Sequence, residues 1–313
     1  MKTKVNKRKT KNYYTKDIQK PFLKWVGGKT QLLDNILNKL PKSMENYYEI
    51  FLGGGSVLLA ILSLQQSGTI CIKNKIYAYD LNKALIHVYK NIQSNKDILF
   101  DTIHTYITQY DKLTGEIIHR KPKNIKEATT SKESYYYWLR SKFNGCDKTS
   151  IEASALFMII NKLCFRGMYR EGPNGYNVPY GHYKKTPTII NKQVLDNVSK
   201  LIQDVEFVCL NFNESMKNIQ KGDVVYLDPP YMPETTTSFV KYNKNGFTIE
   251  NHMELFENIQ NLHKKDVKFV LSNSNVSMVT DNFKGFNCEE IVARRAIHSK
   301  NPGAKAKEVI IYN

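Results

Sequence analysis

The sequence predicts an α/β protein whose mostly parallel sheet is interrupted by an inserted, mainly helical domain. Three observations carry this reading. Short apolar runs at 47–51, 76–79, 206–210, 224–227, 267–271 and 308–312 alternate with helical patterns such as 56–65 and 252–263, and strands alternating with helices pair in parallel through crossovers. Between about 85 and 187 the pattern changes to helical stretches, then to a polar, glycine-rich and aromatic segment ending at Lys185, which marks an insertion. The last two apolar stretches, Glu289–Ile297 and Glu308–Tyr312, read as an antiparallel hairpin at the sheet edge. The expected division is a basic arm over 1–19, a sheet domain over 20–86 and 188–313, and the insert over 87–187.

Taken in order, the chain opens with Lys2, Lys4, Lys7, Arg8, Lys9 and Lys11 and no acid before residue 13. Such a run reads as an arm that adds sequence-independent affinity for a polyanion, or as a tail with no role. Next, Pro21-Phe22-Leu23-Lys24-Trp25-Val26-Gly27-Gly28-Lys29-Thr30 sets two lysines around a tryptophan and a glycine pair. A tight turn there would bring Lys29 over an anionic group and Trp25 beside a ring or a cation. Taken alone, the segment reads equally as a core tryptophan between solvated lysines.

Tyr47-Tyr48-Glu49-Ile50-Phe51-Leu52-Gly53-Gly54-Gly55-Ser56-Val57-Leu58-Leu59 is a strand, a glycine-rich turn and a helix start. The glycines admit a ligand close to the backbone, and the helix N-terminus favours a carboxylate or phosphate. The strict GxGxxG spacing of a dinucleotide site is absent. Lys75-Ile76-Tyr77-Ala78-Tyr79-Asp80 is the next strand, with an acid at its carboxyl end placed to accept from a ribose hydroxyl. Glycine turns also occur in α/β proteins without ligands.

The richest segment is Asp228-Pro229-Pro230-Tyr231, which follows the apolar run Val224–Leu227 and so reads as the exit of a buried parallel strand. The prolines have fixed φ and no N–H, so rigidly aimed carbonyls stand free. With a carboxylate before them and a ring after them, the set suits a nucleobase amine. The exocyclic nitrogen of adenine or cytosine is conjugated with its ring and a poor nucleophile. If Asp228 and the Pro229 carbonyl accept its two hydrogens, they favour a tetrahedral nitrogen and stabilise the positive charge that develops as it attacks carbon. Tyr231 offers a stacking face worth about 1–3 kcal/mol. Asp and Pro are also favoured turn residues, so the tetrapeptide alone is equally a turn.

Composition bounds the partners. At 313 residues the chain buries a sizeable core, and its formal charge of +17 with a pI near 9.4 points to nucleic acid. No apolar run approaches the roughly 20 residues of a membrane span, and no signal peptide is visible, so an intracellular protein with no membrane partner is expected. Cys71, Cys146, Cys164, Cys209 and Cys288 are odd in number and form no CxxC pair, which argues against a disulfide framework and a zinc site. No metal is expected. No cysteine follows a proline, which counts against a thiolate attacking a pyrimidine ring.

With these segments in place, the chain resembles the Dam-type DNA adenine-N6 methyltransferases (D12 class, alpha group). PFLKWVGGK, FLGGGS, YAYD, the string from Cys164-Phe165-Arg166-Gly167-Met168-Tyr169-Arg170 through Asn177-Val178-Pro179-Tyr180-Gly181-His182-Tyr183-Lys184, and DPPY match in the family's order over nearly residues 20–313. The resemblance implies a Rossmann-like class I methyltransferase sheet, with S-adenosylmethionine as methyl donor. Trp25, Lys29, Asp80 and Asp228 would contact the donor, with Phe51, Gly53, Gly54, Gly55 and Ser56 shaping its pocket. Asp228, Pro229, Pro230 and Tyr231 would form the catalytic loop around an adenine rotated out of double-stranded DNA. The insert would be the target-recognition domain, with Lys24, Arg166, Arg170, Asn177, Pro179 and Tyr183 at bases or backbone. Arg294 and Arg295, in the basic loop Arg294–Asn301, would meet phosphates.

A four-base palindrome of GATC or CATG type is the expected site. The stretch Glu171–Gly175 is shorter and differently composed than in GATC-methylating relatives. The polar segment Met232–Gly246 after the catalytic loop would order on DNA. A monomer on DNA completes the expectation; the sequence does not decide whether a companion restriction endonuclease accompanies it. A cytosine-N4 enzyme would usually carry Ser in place of Asp228, and an RNA or protein-glutamine enzyme Asn. A basic DNA-binding module with a decayed site is the non-enzymatic alternative, set against an intact Trp25, Lys29, Asp80 and catalytic tetrapeptide.

Overall fold

The structure is a computed structural model that describes residues 18–233, 246–294 and 305–313. The basic arm up to residue 17, residues 234–245 of the polar segment after Asp228–Tyr231, and the basic loop from Arg295 to residue 304 lie outside the described residues.

Strands form at β1 (Ser43–Met44), β2 (Tyr47–Glu49), β3 (Cys71–Ile72), β4 (Ile76–Asp80), β5 (Glu171–Gly172), β6 (Gly175–Tyr176), β7 (Val205–Cys209), β8 (Val224–Leu227), β9 (Lys268–Ser274), β10 (Asn287–Arg294) and β11 (Lys305–Tyr312). Helices form at α1 (Leu33–Leu37), α2 (Ser56–Gln66), α3 (Lys83–Asp111), α4 (Ile125–Ala128), α5 (Lys132–Gly145), α6 (Ile151–Leu163), α7 (Lys192–Leu201), α8 (Phe212–Ser215), α9 (Ile249–Lys264) and α10 (Ser277–Asn282).

The central sheet has seven strands in the order β10-β11-β9-β8-β2-β4-β7. The pairs β9–β8, β8–β2, β2–β4 and β4–β7 are parallel, and β11 runs antiparallel to both β9 and β10. Thus the mostly parallel sheet and the edge hairpin form as the sequence predicts. After β2 the chain steps one way to β4 and β7, then returns to lay β8 and β9 on the other side. The crevice outside the carboxyl ends of β8, β2 and β4 is therefore a topological switch point, where open α/β sheets bind ligands.

Period-2 alternation builds the two faces. On β8, Val224 and Tyr226 enter one buried cluster while Val225 and Leu227 enter the other. Val270 likewise faces the first, and Phe269 and Leu271 the second. Helices α2 and α3 cover the first face, and α9 covers the second with Leu255, Phe256, Ile259 and Leu262.

Helix α3 begins at the sheet and extends into the insert. Asn82 caps it, its side chain accepting from Leu85 N at 3.0 Å. Leu85, Ile86, Val88, Tyr89 and Ile92 are buried against the sheet side, a break in helical geometry falls at Asn95, and the helix packs along α6. The sequence boundary at 86/87 thus falls inside the first part of α3, before its break at Asn95, and a single apolar cluster runs from the sheet into α5 and α6. Ser131 caps α5, accepting from Ser134 N, and Ser150 caps α6, accepting from Ala153 N.

Candidate active site

Three neighbouring strand ends deliver the three motifs to one place: the glycine turn after β2, Asp80 at the end of β4 and Asp228 after β8. Lys29 joins them from the segment before β1. Its Nζ lies 2.7 Å from Asp228 Oδ2, donates to the Gly27 carbonyl at 2.6 Å and sits 4.8 Å from the centre of the Tyr231 ring. Its backbone N–H donates to Ser56 Oγ at 3.1 Å, tying the segment to the start of α2. Lys29 is only 4% exposed, so this lysine is a buried partner of the Asp228 carboxylate and not a solvated flank.

Burial pushes the Asp228 carboxyl above the usual carboxylate range, and the Lys29 ammonium pulls it back. Behind it, Glu49 on β2 is buried, accepts from Tyr47 Oη at 2.9 Å and has its carboxyl pushed well up by burial. Pro229 is buried and Pro230 exposed.

The rest of the loop is held from β9 and β11. Tyr231 Oη donates to Glu308 Oε2 at 2.9 Å. Met232 N donates to Asn273 Oδ1 at 3.1 Å, and Ser274 Oγ donates to the Met232 carbonyl at 2.6 Å. These three polar residues were missed from the sequence. Asn273 and Ser274 stand at the carboxyl end of the strand beside β8, and Glu308 pairs with Ser274 across the antiparallel ladder. The rule that sites gather at the carboxyl edge of parallel strands would have marked them.

The donor-side residues also converge. Gly53 N donates to Asp80 Oδ2 at 3.0 Å and Asn82 N to Asp80 Oδ1 at 2.9 Å. Burial raises the Asp80 carboxyl, opposed by the N–H groups of Asn82, Gly53 and Leu81. Trp25 packs over the glycine turn so closely that a Cβ on Gly53 would lie 2.8 Å from its Nε1, and one on Gly54 2.7 Å from its Cβ. Its ring stacks on Tyr169 at 5.8 Å and Phe157 at 6.5 Å, both from the insert. Gly55 adopts φ 66° at the N-cap of α2 with no side-chain cap, and a Cβ there would strike Tyr89 Oη, a buried hydroxyl without a hydrogen-bond partner among the described residues. Phe51 packs with Phe212 and Phe247, and Leu81 is exposed beside Asp80. An uncapped helix N-terminus, an acid at the next strand end and apolar walls fit a small ligand with a carboxylate, a ribose and a flat ring.

Of the insert's candidates, Tyr183 meets Lys24. Lys24 Nζ donates to Tyr183 Oη at 3.0 Å and to the Lys162 carbonyl at 3.2 Å, while Asn161 clasps the Lys24 backbone through both its N–H and its carbonyl. Burial, with Lys24 nearby, lowers the Lys162 ammonium to about 8. Arg166 is exposed at φ 57° with its guanidinium on the Phe165 ring. The hairpin β5–β6 brings Arg170 and Asn177 face to face, with Arg170 Nε donating to Asn177 Oδ1 at 2.6 Å. Pro179 is exposed, and its carbonyl accepts from Phe165 N at 2.9 Å. Arg294 ends β10 with its side chain outside the described residues, and Arg295 lies outside them altogether. Among the described residues no three of His, Cys, Asp and Glu are grouped to hold a metal, and no helix is long and apolar enough to cross a membrane.

Comparisons with known proteins follow the same lines. Residues 25–297 match the family described as D12 class N6 adenine-specific DNA methyltransferase. The chain is 35% identical over 303 residues to the type II methyltransferase M.MjaIII of Methanocaldococcus jannaschii, covering 93% of this chain and 96% of that protein. It is 31% identical to the type II methyltransferase M1.LlaDCHI of Lactococcus lactis subsp. cremoris, covering 94% and 95%. It is 30% identical to the DNA adenine methylase of Escherichia coli strain K12, covering 91% of each chain.

Proposed function

The chain belongs to the D12 class N6 adenine-specific DNA methyltransferases, and on that premise we propose that it methylates an adenine rotated out of a short palindromic DNA site, of GATC or CATG type, with S-adenosylmethionine as donor. The observation that carries the proposal is the convergence at one switch point of the glycine turn, Asp80 and the Asp228–Tyr231 loop, with Lys29 on Asp228.

S-adenosylmethionine supplies a methyl carbon on a sulfonium, whose S–C bond breaks as the adenine N6 lone pair forms the N–C bond. The chain's residues place the acceptor. Lys29 engages Asp228 Oδ2, so Oδ1 takes one amine hydrogen and the Pro229 carbonyl the other. Both acceptors favour a tetrahedral nitrogen and stabilise its developing positive charge. The surplus N6 proton then leaves through Asp228 to solvent. Tyr231 provides the face on which the extruded base rests. Rate comes mainly from holding nitrogen and methyl carbon at roughly 3–3.5 Å with aligned orbitals. On the donor side, Asp80 accepts from the ribose, the start of α2 at Gly55 and Ser56 receives the carboxylate, and Trp25, Phe51, Gly53 and Gly54 wall the pocket.

Residues 87–187 form the proposed target-recognition domain of double-stranded DNA. Lys24, Arg166, Arg170, Asn177, Pro179 and Tyr183 meet bases and backbone, and Arg294 and Arg295 meet phosphates. The enzyme acts as an intracellular monomer, and a companion restriction endonuclease fits the type II designation of two relatives.

The test is methylation mapping of a plasmid holding every four-base palindrome, incubated with the protein and S-adenosylmethionine. N6-methyladenine in one short motif on both strands is expected. N4-methylcytosine, or no product with cofactor bound, would overturn the proposal.

A further inference from the structure

We propose that Glu308 is a positioning residue for base capture: through its hydrogen bond to Tyr231 it sets the plane on which the target base stacks. This rests on the proposed role of Tyr231 as the stacking face. Among the described residues Glu308 makes no hydrogen bond to Asp228, whose carboxyl its charge nonetheless helps to raise; its hydrogen bond in the site is the 2.9 Å bond from Tyr231 Oη, and Glu308→Gln removes the charge while keeping that bond. It lies on β11 opposite Ser274 of β9, the residue whose hydroxyl holds the Met232 carbonyl at 2.6 Å. Two adjacent strands therefore grip the loop at two consecutive residues, one by side chain and one by backbone.

The hydrogen bond does what the prolines cannot do. Pro229 and Pro230 fix the backbone up to Tyr231 but leave the tyrosine side-chain torsions free. A ring fastened at Cα alone sweeps a cone, whereas one fastened at Cα and Oη has one tilt. Lys29 lies 4.8 Å from the same ring centre, so the ring rests against a cation while its hydroxyl is held by an anion 77 residues away in sequence. A stacking surface ordered before the base arrives costs less ordering when it is used. The carboxylate is a stronger acceptor than a neutral group for this phenol, but a glutamine carbonyl retains the geometry.

The test uses the full-length protein, saturating S-adenosylmethionine and a duplex with 2-aminopurine at the adenine found by mapping. Glu308→Leu is expected to lower the fluorescence gain on binding, and the single-turnover rate on the adenine duplex, by about tenfold, with cofactor affinity by calorimetry unmoved. Glu308→Gln is expected to recover at least half of the fluorescence gain. Tyr231→Phe should resemble Glu308→Leu, and the double variant should be no worse than twofold below either single. Full fluorescence gain in Glu308→Leu, or losses that multiply in the double variant, would overturn the role of Glu308. If Tyr231→Ala leaves the fluorescence gain intact, the stacking role itself falls, a result separate from any outcome at Glu308.

Discussion

The Asp228–Met232 loop and the β5–β6 hairpin of the insert are both held by polar side chains, the loop by distant partners and the hairpin by its own residues. Asp228 is fastened to the buried Lys29 of the segment before β1, and Tyr231 and Met232 to Glu308, Asn273 and Ser274 on β11 and β9, buried or half-buried partners distant in sequence. Arg170 and Asn177 are fastened to each other across a two-residue ladder, both exposed. The difference teaches how, on the proposed reading, one chain would separate chemistry from recognition. The loop is fixed at several points by partners outside it. The hairpin pair satisfies itself, so if Asn177 reads adenine through both amide atoms, as proposed, it must first surrender its bond from Arg170.

The largest effect that sharpens this comparison is expected from Asp228→Ala. Single-turnover methylation should fall about a thousandfold on every DNA sequence, with the far-ultraviolet circular dichroism spectrum unchanged. Appreciable turnover at saturating donor would break the comparison at its catalytic end.

At the hairpin, Arg170→Ala and Asn177→Ala should each erode discrimination between the mapped site and its one-base variants by about 10- to 100-fold. Because the two residues act as one pair, the double variant should match the singles. The single-turnover rate on the mapped site at saturating enzyme should stay close to that of the parent. A uniform loss on all sequences would instead make them phosphate contacts.

Lys29→Met is expected to move the acidic limb of the methylation rate to higher pH. Burial already raises Asp228 and the lysine opposes it, so its removal lets the carboxyl rise further and leaves less of the ionised acceptor at a given pH. The rate penalty should be several-fold greater at pH 6 than at pH 8. An unmoved acidic limb would dissociate Lys29 from Asp228.

The smallest effect is thermal. Glu49 has a folded-state pKa above its unfolded value, so its contribution is fully present below about pH 4.3 and is lost as pH rises through the folded value. Glu49→Gln should therefore gain on the parent as pH rises, by about 2–4 °C in melting temperature at pH 8, with the gap closing towards pH 5. A gap that widens on acidification would contradict this.

The catalytic end was legible where the chemistry is local. The run into Asp228, the glycine turn and Asp80 are contiguous strings whose strand period and turn residues announce a strand exit, and each lies where that period put it. The seven-stranded order puts these three ends side by side, and Glu289–Ile297 with Glu308–Tyr312 forms the edge hairpin as far as Arg294. What was not legible is what lies across strands. Glu308 reads in sequence as a polar residue opening a strand of the edge hairpin, and Asn273 as a polar residue beyond the end of the apolar run 267–271. Only the parallel and antiparallel registers place them at the loop. Lys29 read as a donor contact or a solvated flank, because nothing in a glycine turn says which acid, 199 residues on, will close over it. The 86/87 boundary has the same origin. The helix that starts at Lys83 runs past 86/87 and breaks its geometry only at Asn95, so the passage from sheet to insert leaves no mark at the boundary expected from the sequence.

The most direct test is a crystal structure with a non-reactive donor analogue and the mapped duplex, read for one distance. The expected result is an extruded adenine on the Tyr231 ring, its N6 at about 3 Å from both an Asp228 carboxylate oxygen and the Pro229 carbonyl. An adenine still stacked in the duplex, or an amine bound away from these two acceptors, would contradict the reading of the loop as the adenine-N6 site.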